Sequence, residues 1–321
     1  MKYKIAATAC ALVLPGFAMA SDCGEVSITE MNWASASIVT EISTFLMTHG
    51  YGCDVTRVPS DTVPAVTSLS ENGEPDIVTE MWINGGGEAY VKLREAGRVK
   101  ELTEVLSPGG VEGWWIPTYL AEAHPELTTI EGVLANPALV GGRFNNCPDG
   151  WGCRILNDNL TRAVGVEDAG IEIFGHGSGE TLAASLASAY EAGEPWFGYY
   201  WSPTKIMGKY NMTRIEIGPI DPEAHHRNQT ADRDAPEVSD FPPSPVWTVV
   251  TQEFEESQPE VATLMSNISF TAEEMSGILA WQDDNNASAE EAAVNYLINN
   301  KSVWASWLSD DAKANLSQIL N

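Results

Sequence analysis

The chain reads as an α/β protein of two lobes with a ligand cleft between them, and three observations lead there. It opens on a strand, helix, strand pattern. Short apolar strands then recur between helical stretches. A long acidic, proline-rich segment is followed by an apolar run and a string of closing helices, as in a chain that returns to its first lobe.

The elements follow in order. Val26 to Glu30 is the first strand, and the next helix spans about Ser37 to Thr48, with Ile38, Ile42, Phe45 and Leu46 on one face and Gly50 as its stop. Asp54 to Val58 is the second strand, so the β-α-β start predicts parallel pairing. Asp76 to Met81 is a short apolar strand ending at Trp82. A helix is expected just after Cys153, through Ile155, Leu156 and Leu160. Glu180 to Glu191 is another helix, ended by Gly193 and followed by a strand from Trp196 to Trp201. Gly175, Gly177 and Gly179 read as a turn into that helix, since no dinucleotide-binding unit surrounds them. After the segment Gly218 to Pro245 come the apolar run Val246 to Val250 and helical patterns at Pro259 to Ser266, Ala272 to Trp281 and Ala289 to Leu308. The expected division is 21–116 plus 246–321 for a discontinuous first lobe and 117–245 for the second.

Residues 1–20 read as a cleavable secretory signal peptide: Lys2 and Lys4, an apolar run from Ile5 to Phe17, then Ala18-Met19-Ala20 before Ser21. Cys10 lies inside the run and Cys23 follows Asp22, so neither has the place of a lipid-modified cysteine. No later segment approaches the roughly 18 to 20 apolar residues that span a bilayer. A periplasmic monomer is expected. The 45 acidic against 17 basic residues, a net charge of -28, exclude nucleic acid as a partner because its phosphates would be repelled. The acid is spread along the chain and reads as solubility.

Without Cys10 four cysteines remain for an oxidising compartment, and they allow three pairings. Cys147 and Cys153 flank a short loop, Pro148-Asp149-Gly150-Trp151-Gly152, which makes them natural partners. Cys23 and Cys53 each precede one of the first two strands, so parallel pairing sets them side by side. Both pairs read as structural staples, ahead of metal ligation, and neither a metal nor a cofactor is expected.

Tryptophan is over-represented: eleven residues where average usage predicts about three or four. Trp196, Trp247, Trp281, Trp304 and Trp307 lie in apolar or helical patterns and read as core. Trp82 and Trp201 each end a strand, where ligands bind in open α/β sheets, and Trp151 sits in the cysteine loop. Trp114-Trp115 lie near the lobe crossover. An alkylated ammonium ion has no N–H to donate, so ring faces rather than hydrogen bonds select it, at about 0.5 to 2 kcal/mol per cation-π contact. The N–H groups of Gly152 and Cys153, heading the helix after the loop, form an anion pole. A trimethylammonium compound with an oxyanion end fits both.

These residues carry a resemblance. The order Ile28-Thr29-Glu30, Trp82, the CPDGWGC loop, Tyr199 to Pro203 and the closing helices resembles the substrate-binding proteins of osmoprotectant ABC importers for glycine betaine and proline betaine. The resemblance implies a periplasmic-binding-protein fold of type II, with two crossovers and the ligand in the interlobe cleft, serving a permease in the inner membrane. It also implies a three-tryptophan cage at Trp82, Trp151 and Trp201, with the carboxylate on the amides of Gly152 and Cys153. One departure concerns a His that a betaine-binding member of the family places four residues after the first cage tryptophan; here that residue is Gly86. With Trp115 expected as a fourth wall, the departure favours trimethylamine N-oxide over glycine betaine or choline. Glu80 and Glu30 are expected to face the same cleft and attract a cation.

Other motifs carry less. Asp283 to Glu291 resembles a calcium loop, but Ser288 and Glu291 form a simpler helix-capping box. His225-His226 read as exposed loop residues. There is no HExxH, GxSxG or P-loop, and nothing positions Asp232 or Asp240 for hydrolysis, so an enzyme is not expected.

Overall fold

The computed structural model describes residues 23–320. The signal-peptide reading of residues 1–20 lies outside them. No described helix is long and apolar enough to cross a membrane.

Among the described residues ten strands form one sheet: β1 (Gly24–Met31), β2 (Cys53–Ser60), β3 (Ile77–Trp82), β4 (Val99–Pro117), β5 (Arg143–Asn146), β6 (Glu172–Gly175), β7 (Gly198–Ser202), β8 (Met212–Arg214), β9 (Ser244–Thr251) and β10 (Phe270–Thr271). The order is β2-β1-β3-β9-β4-β7-β5-β6, with β8 and β10 added to β4. β1 and β2 are parallel with Gly24 opposite Cys53, and the Cys23–Cys53 disulfide joins their ends with Cα atoms 4.5 Å apart. The second disulfide joins Cys147 to Cys153. Both pairings are those expected from spacing and strand order.

β4 gives the molecule its two halves. Its first part, Val99 to Gly110, pairs antiparallel with β9; from Val111 to Trp115 it pairs with β7. One strand therefore belongs to both sheet halves, and β9, the returning strand, lies beside it at the crossover. The closing helices pack on the first half, as the sequence predicts. Asn315 Nδ2 donates to the Gly50 carbonyl and the backbone N–H of Ser309 donates to the Tyr51 hydroxyl.

Three boundaries differ from the sequence reading. The first helix spans Ala34–Tyr51 and stops at Gly52, whose φ of 73° lets it adopt the left-handed cap; Gly50 instead lies against Ala312 and Leu316. The single helix expected from Ala289 to Leu308 is two, Ala289–Asn299 and Lys301–Ala305. They divide at Asn300, whose side chain donates to the Tyr296 carbonyl. The acidic segment contains a helical turn, Pro222–Arg227, capped by Asp221. The Asp-Pro pair is a helix-start signal that the loop reading passed over. That turn corrects the placement of His225, which is 3% exposed rather than open to solvent, with its ring edge-on to Phe241 at 5.6 Å. The capping box at Ser288 and Glu291 is present, and Asp283 pairs with Lys205 at 2.9 Å.

Candidate ligand site

The site lies where the two sheet halves meet, and each wall is placed by a local feature of the sequence. Trp82 ends β3, and its ring rests on Gly110 so closely that a Cβ there would come within 2.2 Å of it. Trp33 follows β1 as the N-cap of the helix Ala34–Tyr51. Trp201 and Tyr199, two apart on β7, point to the same side of the strand. Trp151 is the N-cap of the helix Gly152–Val164 and is held in the turn closed by Cys147–Cys153.

These five rings, with Thr62, Gly85, Glu112, Gly152 and Cys153, enclose a cavity of about 30 Å³. The rings meet edge to face, Trp151 with Trp201 at 5.0 Å and 82° and Trp33 with Trp151 at 5.6 Å and 75°. Tyr199 and Trp201, by contrast, stack at 6.3 Å and 23°. The polar groups are few. Gly152 and Cys153 are the first residues of their helix, so their N–H groups have no intrahelical acceptor. Glu112 accepts hydrogen bonds from the Tyr199 hydroxyl at 2.7 Å and the Ser244 hydroxyl at 2.5 Å. Burial raises its carboxyl above the ordinary range, and those two donors offset part of the rise. Among the described residues no Lys, Arg or His lines the cavity. Among the described residues no group of three or more His, Cys, Asp or Glu side chains is placed to hold a metal ion.

The disulfide loop is gripped by the first half. Trp151 Nε1 donates to Asn32 Oδ1 at 2.7 Å, the N–H of Val63 donates to the Gly150 carbonyl at 3.0 Å, and Gly152 lies directly on the backbone of Gly85. Behind Trp33 sits Glu80, wholly buried, at the bulge that interrupts the pairing of β3 with β9 between Val78 and Met81. Its φ of 48° is a left-handed conformation uncommon for a side-chain-bearing residue, the kind of strain found where geometry serves a site.

Of the eight residues expected at the site, Trp82, Trp151, Gly152, Cys153 and Trp201 line one cavity. The other three lie elsewhere. Trp115 follows Trp114 on β4 and takes the opposite face of the strand from Glu112, its indole N–H donating to the Tyr200 carbonyl at 3.0 Å. Trp33 stands in its place as the fourth indole. Glu30 lies on the side of β1 near Glu41, and Glu80 supports the Trp33 wall without lining the cavity. Gly86 does not face the cavity either. A side chain at Gly86 would be driven into Met81 and Tyr90, at 2.5 and 2.7 Å from its Cβ, away from the cavity, and Gly85 is the residue that faces it. Gly86 therefore removes no ligand donor. Trp33, Glu112, Tyr199 and Thr62 were not singled out individually from the sequence. Trp33 was legible by the rule that picked Trp82 and Trp201, since it too follows the carboxyl end of a strand. A lone acid between Gly110 and Gly113 carries no such signal.

The sequence profile of the substrate binding domain of ABC-type glycine betaine transport system matches residues 24–299. The chain belongs to this family. A trimethylamine N-oxide-binding protein from Pelagibacter ubique (strain HTCC1062) is 22% identical over 293 residues, 87% of this chain and 89% of that one. An ABC-transporter choline binding protein in complex with choline superposes with a TM-score of 0.73 at 21% identity, covering 93% of this chain and 99% of the other. The glycine betaine, L-proline-binding protein ProX from Borrelia burgdorferi gives 0.75 at 16% identity, covering 92% and 100%. Family members are transport substrate-binding proteins, and the fold is their two-lobed type II fold.

Proposed function

We propose that the protein is a periplasmic receptor that captures a trimethylated amine, with trimethylamine N-oxide as the favoured ligand, and delivers it to an inner-membrane permease. The lobes are those divided at 116/117 and 245/246, and they close about the crossover strands β4 and β9. Trp33, Trp82, Trp151 and Trp201 take the methylated nitrogen against their faces, where each cation-π contact contributes about 0.5 to 2 kcal/mol.

One observation carries the choice of ligand: among the described residues buried Glu112 is the one acid lining the cavity, and no base accompanies it. A ligand carboxylate beside Glu112 meets either like charge or a proton it must share. An N-oxide oxygen accepts a hydrogen bond from the protonated carboxyl, and its short reach suits a small cavity. The name of the Pelagibacter ubique relative agrees with this reading. Glycine betaine is the second reading, favoured by the paired N–H groups of Gly152 and Cys153, which suit a carboxylate. Choline is the third, since its cation suits an ionised Glu112.

Calorimetric titration with trimethylamine N-oxide, glycine betaine, choline and carnitine decides among them. The N-oxide binding at least tenfold more tightly than glycine betaine is the expected result. Glycine betaine binding equally well overturns the argument from Glu112, and silence with all four overturns the receptor reading.

A further inference from the structure

Glu80 is buried where packing alone does not call for an acid. Its side chain is 0% exposed. One oxygen accepts from Trp33 Nε1 at 2.6 Å and Ser35 Oγ at 2.9 Å; the other has no hydrogen bond of good geometry, although the indole of Trp82 lies close enough to favour the ionised form. Such a carboxyl exists either as an anion or with a proton on the bare oxygen. Burying the anion without a counter-cation is costly, and none is at hand. The groups facing Glu80 are the indoles of Trp33 and Trp82 and the hydroxyl of Ser35, and no neighbouring charge acts on it. β9, beside its strand, has no titratable residue. On β1, Glu30 lies near Glu41, which is paired with Arg57. The one positive charge that can approach is the ligand's own, across the ring of Trp33.

We propose that Glu80 is the counter-charge of the cage: arrival of an alkylated ammonium against Trp33 ionises Glu80, and its proton leaves to solvent. This inference rests on the ligand reading above. The carboxyl O–H bond breaks, the electron pair stays on the carboxylate, and buffer takes the proton. Two effects couple the events. The ammonium attracts the carboxylate through a water-poor interior. The hydrogen bond from the indole N–H also becomes charge-assisted and feeds electron density to the ring that faces the cation. Burial pushes the Glu80 carboxyl up to about 7, so near neutrality both forms are populated and a nearby cation tips the balance. Glu80 thereby acts through Trp33, as a positioning residue that also stores charge.

The test is titration calorimetry with trimethylamine N-oxide and choline, in buffers of differing ionisation enthalpy, from about pH 6 to about pH 8. Because Glu112 lines the cavity and can itself take up or release a proton, the readout is the difference between wild type and Glu80→Gln, which keeps an acceptor for Trp33 and Ser35 but cannot ionise. Near pH 7 wild type should release about half a proton more per ligand bound than Glu80→Gln, and the ratio of the variant's Kd to that of wild type should rise with pH below that point and level off above it, at about tenfold near pH 8. Equal proton counts in the two proteins, with both binding, overturn the inference alone. Should the variant misfold by circular dichroism, carbon-13 NMR of the Glu80 carboxyl in wild type near pH 7 still decides: its shift should move to the ionised value on binding, and an unchanged shift overturns the inference. Failure of both compounds to bind overturns the ligand reading and this inference with it.

Discussion

The indole N–H of Trp151 donates to the side-chain oxygen of Asn32 across 2.7 Å, tying the disulfide loop to the segment that follows β1. The same indole is a wall of the cavity, edge-on to Trp33 and Trp201. In the proposed receptor, closing the cleft and completing the cage are one event at this residue.

Asn32→Ala removes the acceptor and leaves the indole N–H without its partner. A hydrogen bond of this kind contributes about 0.5 to 1.5 kcal/mol net. Ligand affinity should fall up to about tenfold while the melting temperature of the ligand-free protein stays nearly unchanged. Calorimetry and thermal unfolding on one preparation read both.

The two glycines at the seam should respond unequally. A Cβ on Gly152 would lie 2.3 Å from the Gly85 carbonyl oxygen, backbone that cannot swing aside, whereas a Cβ on Gly85 would meet nothing nearer than 3.4 Å. Gly152→Ala should hold the cleft ajar and weaken binding at least tenfold; Gly85→Ala should change it by less than about threefold. Small-angle scattering with and without ligand checks that the first variant fails to close.

The tryptophans sort by position. Trp151→Ala or Trp201→Ala each removes a desolvated cation-π wall and should weaken binding by about tenfold or more. Trp115→Phe, away from the cavity, should leave Kd within about twofold. Equal effects at all three positions would show that the cage is drawn wrongly.

His225 makes the fold acid-sensitive. Both ring nitrogens are buried without a partner, and burial lowers the imidazole from its ordinary 6.5 to about 4. Between those values the unfolded chain takes up a proton that the folded chain refuses, so stability falls as pH drops from about 6.5 to about 4, by up to about 3 kcal/mol. Above about 6.5 the ring is neutral in both states and the effect vanishes. Denaturant unfolding at about pH 5 and about pH 8 should show His225→Leu losing less stability in acid than wild type.

The sequence made the frame of this protein legible because its signals are local. Alternating strand and helix patterns, Gly stops, and a cysteine loop before a helix need no knowledge of distant partners. Both disulfides followed from spacing and strand order for the same reason. The cavity lining was legible where a rule linked ring to topology, as for Trp82, Trp151 and Trp201. It failed at Trp115, where one residue of strand phase turns the side chain to the other face. Glu112 was hidden because its burial depends on Tyr199 and Ser244, 87 and 132 residues further on. Gly86 misled because sequence offset from Trp82 does not give the direction of a Cβ in the turn that follows.

The most direct test of the central claim is a crystal structure with trimethylamine N-oxide. The methylated nitrogen is expected within about 6 Å of the ring centroids of Trp82, Trp151 and Trp201, with the oxygen toward Glu112. Ligand seated instead in the neighbouring groove between Glu180 and Asp283, with the four indoles closed on themselves, would contradict it.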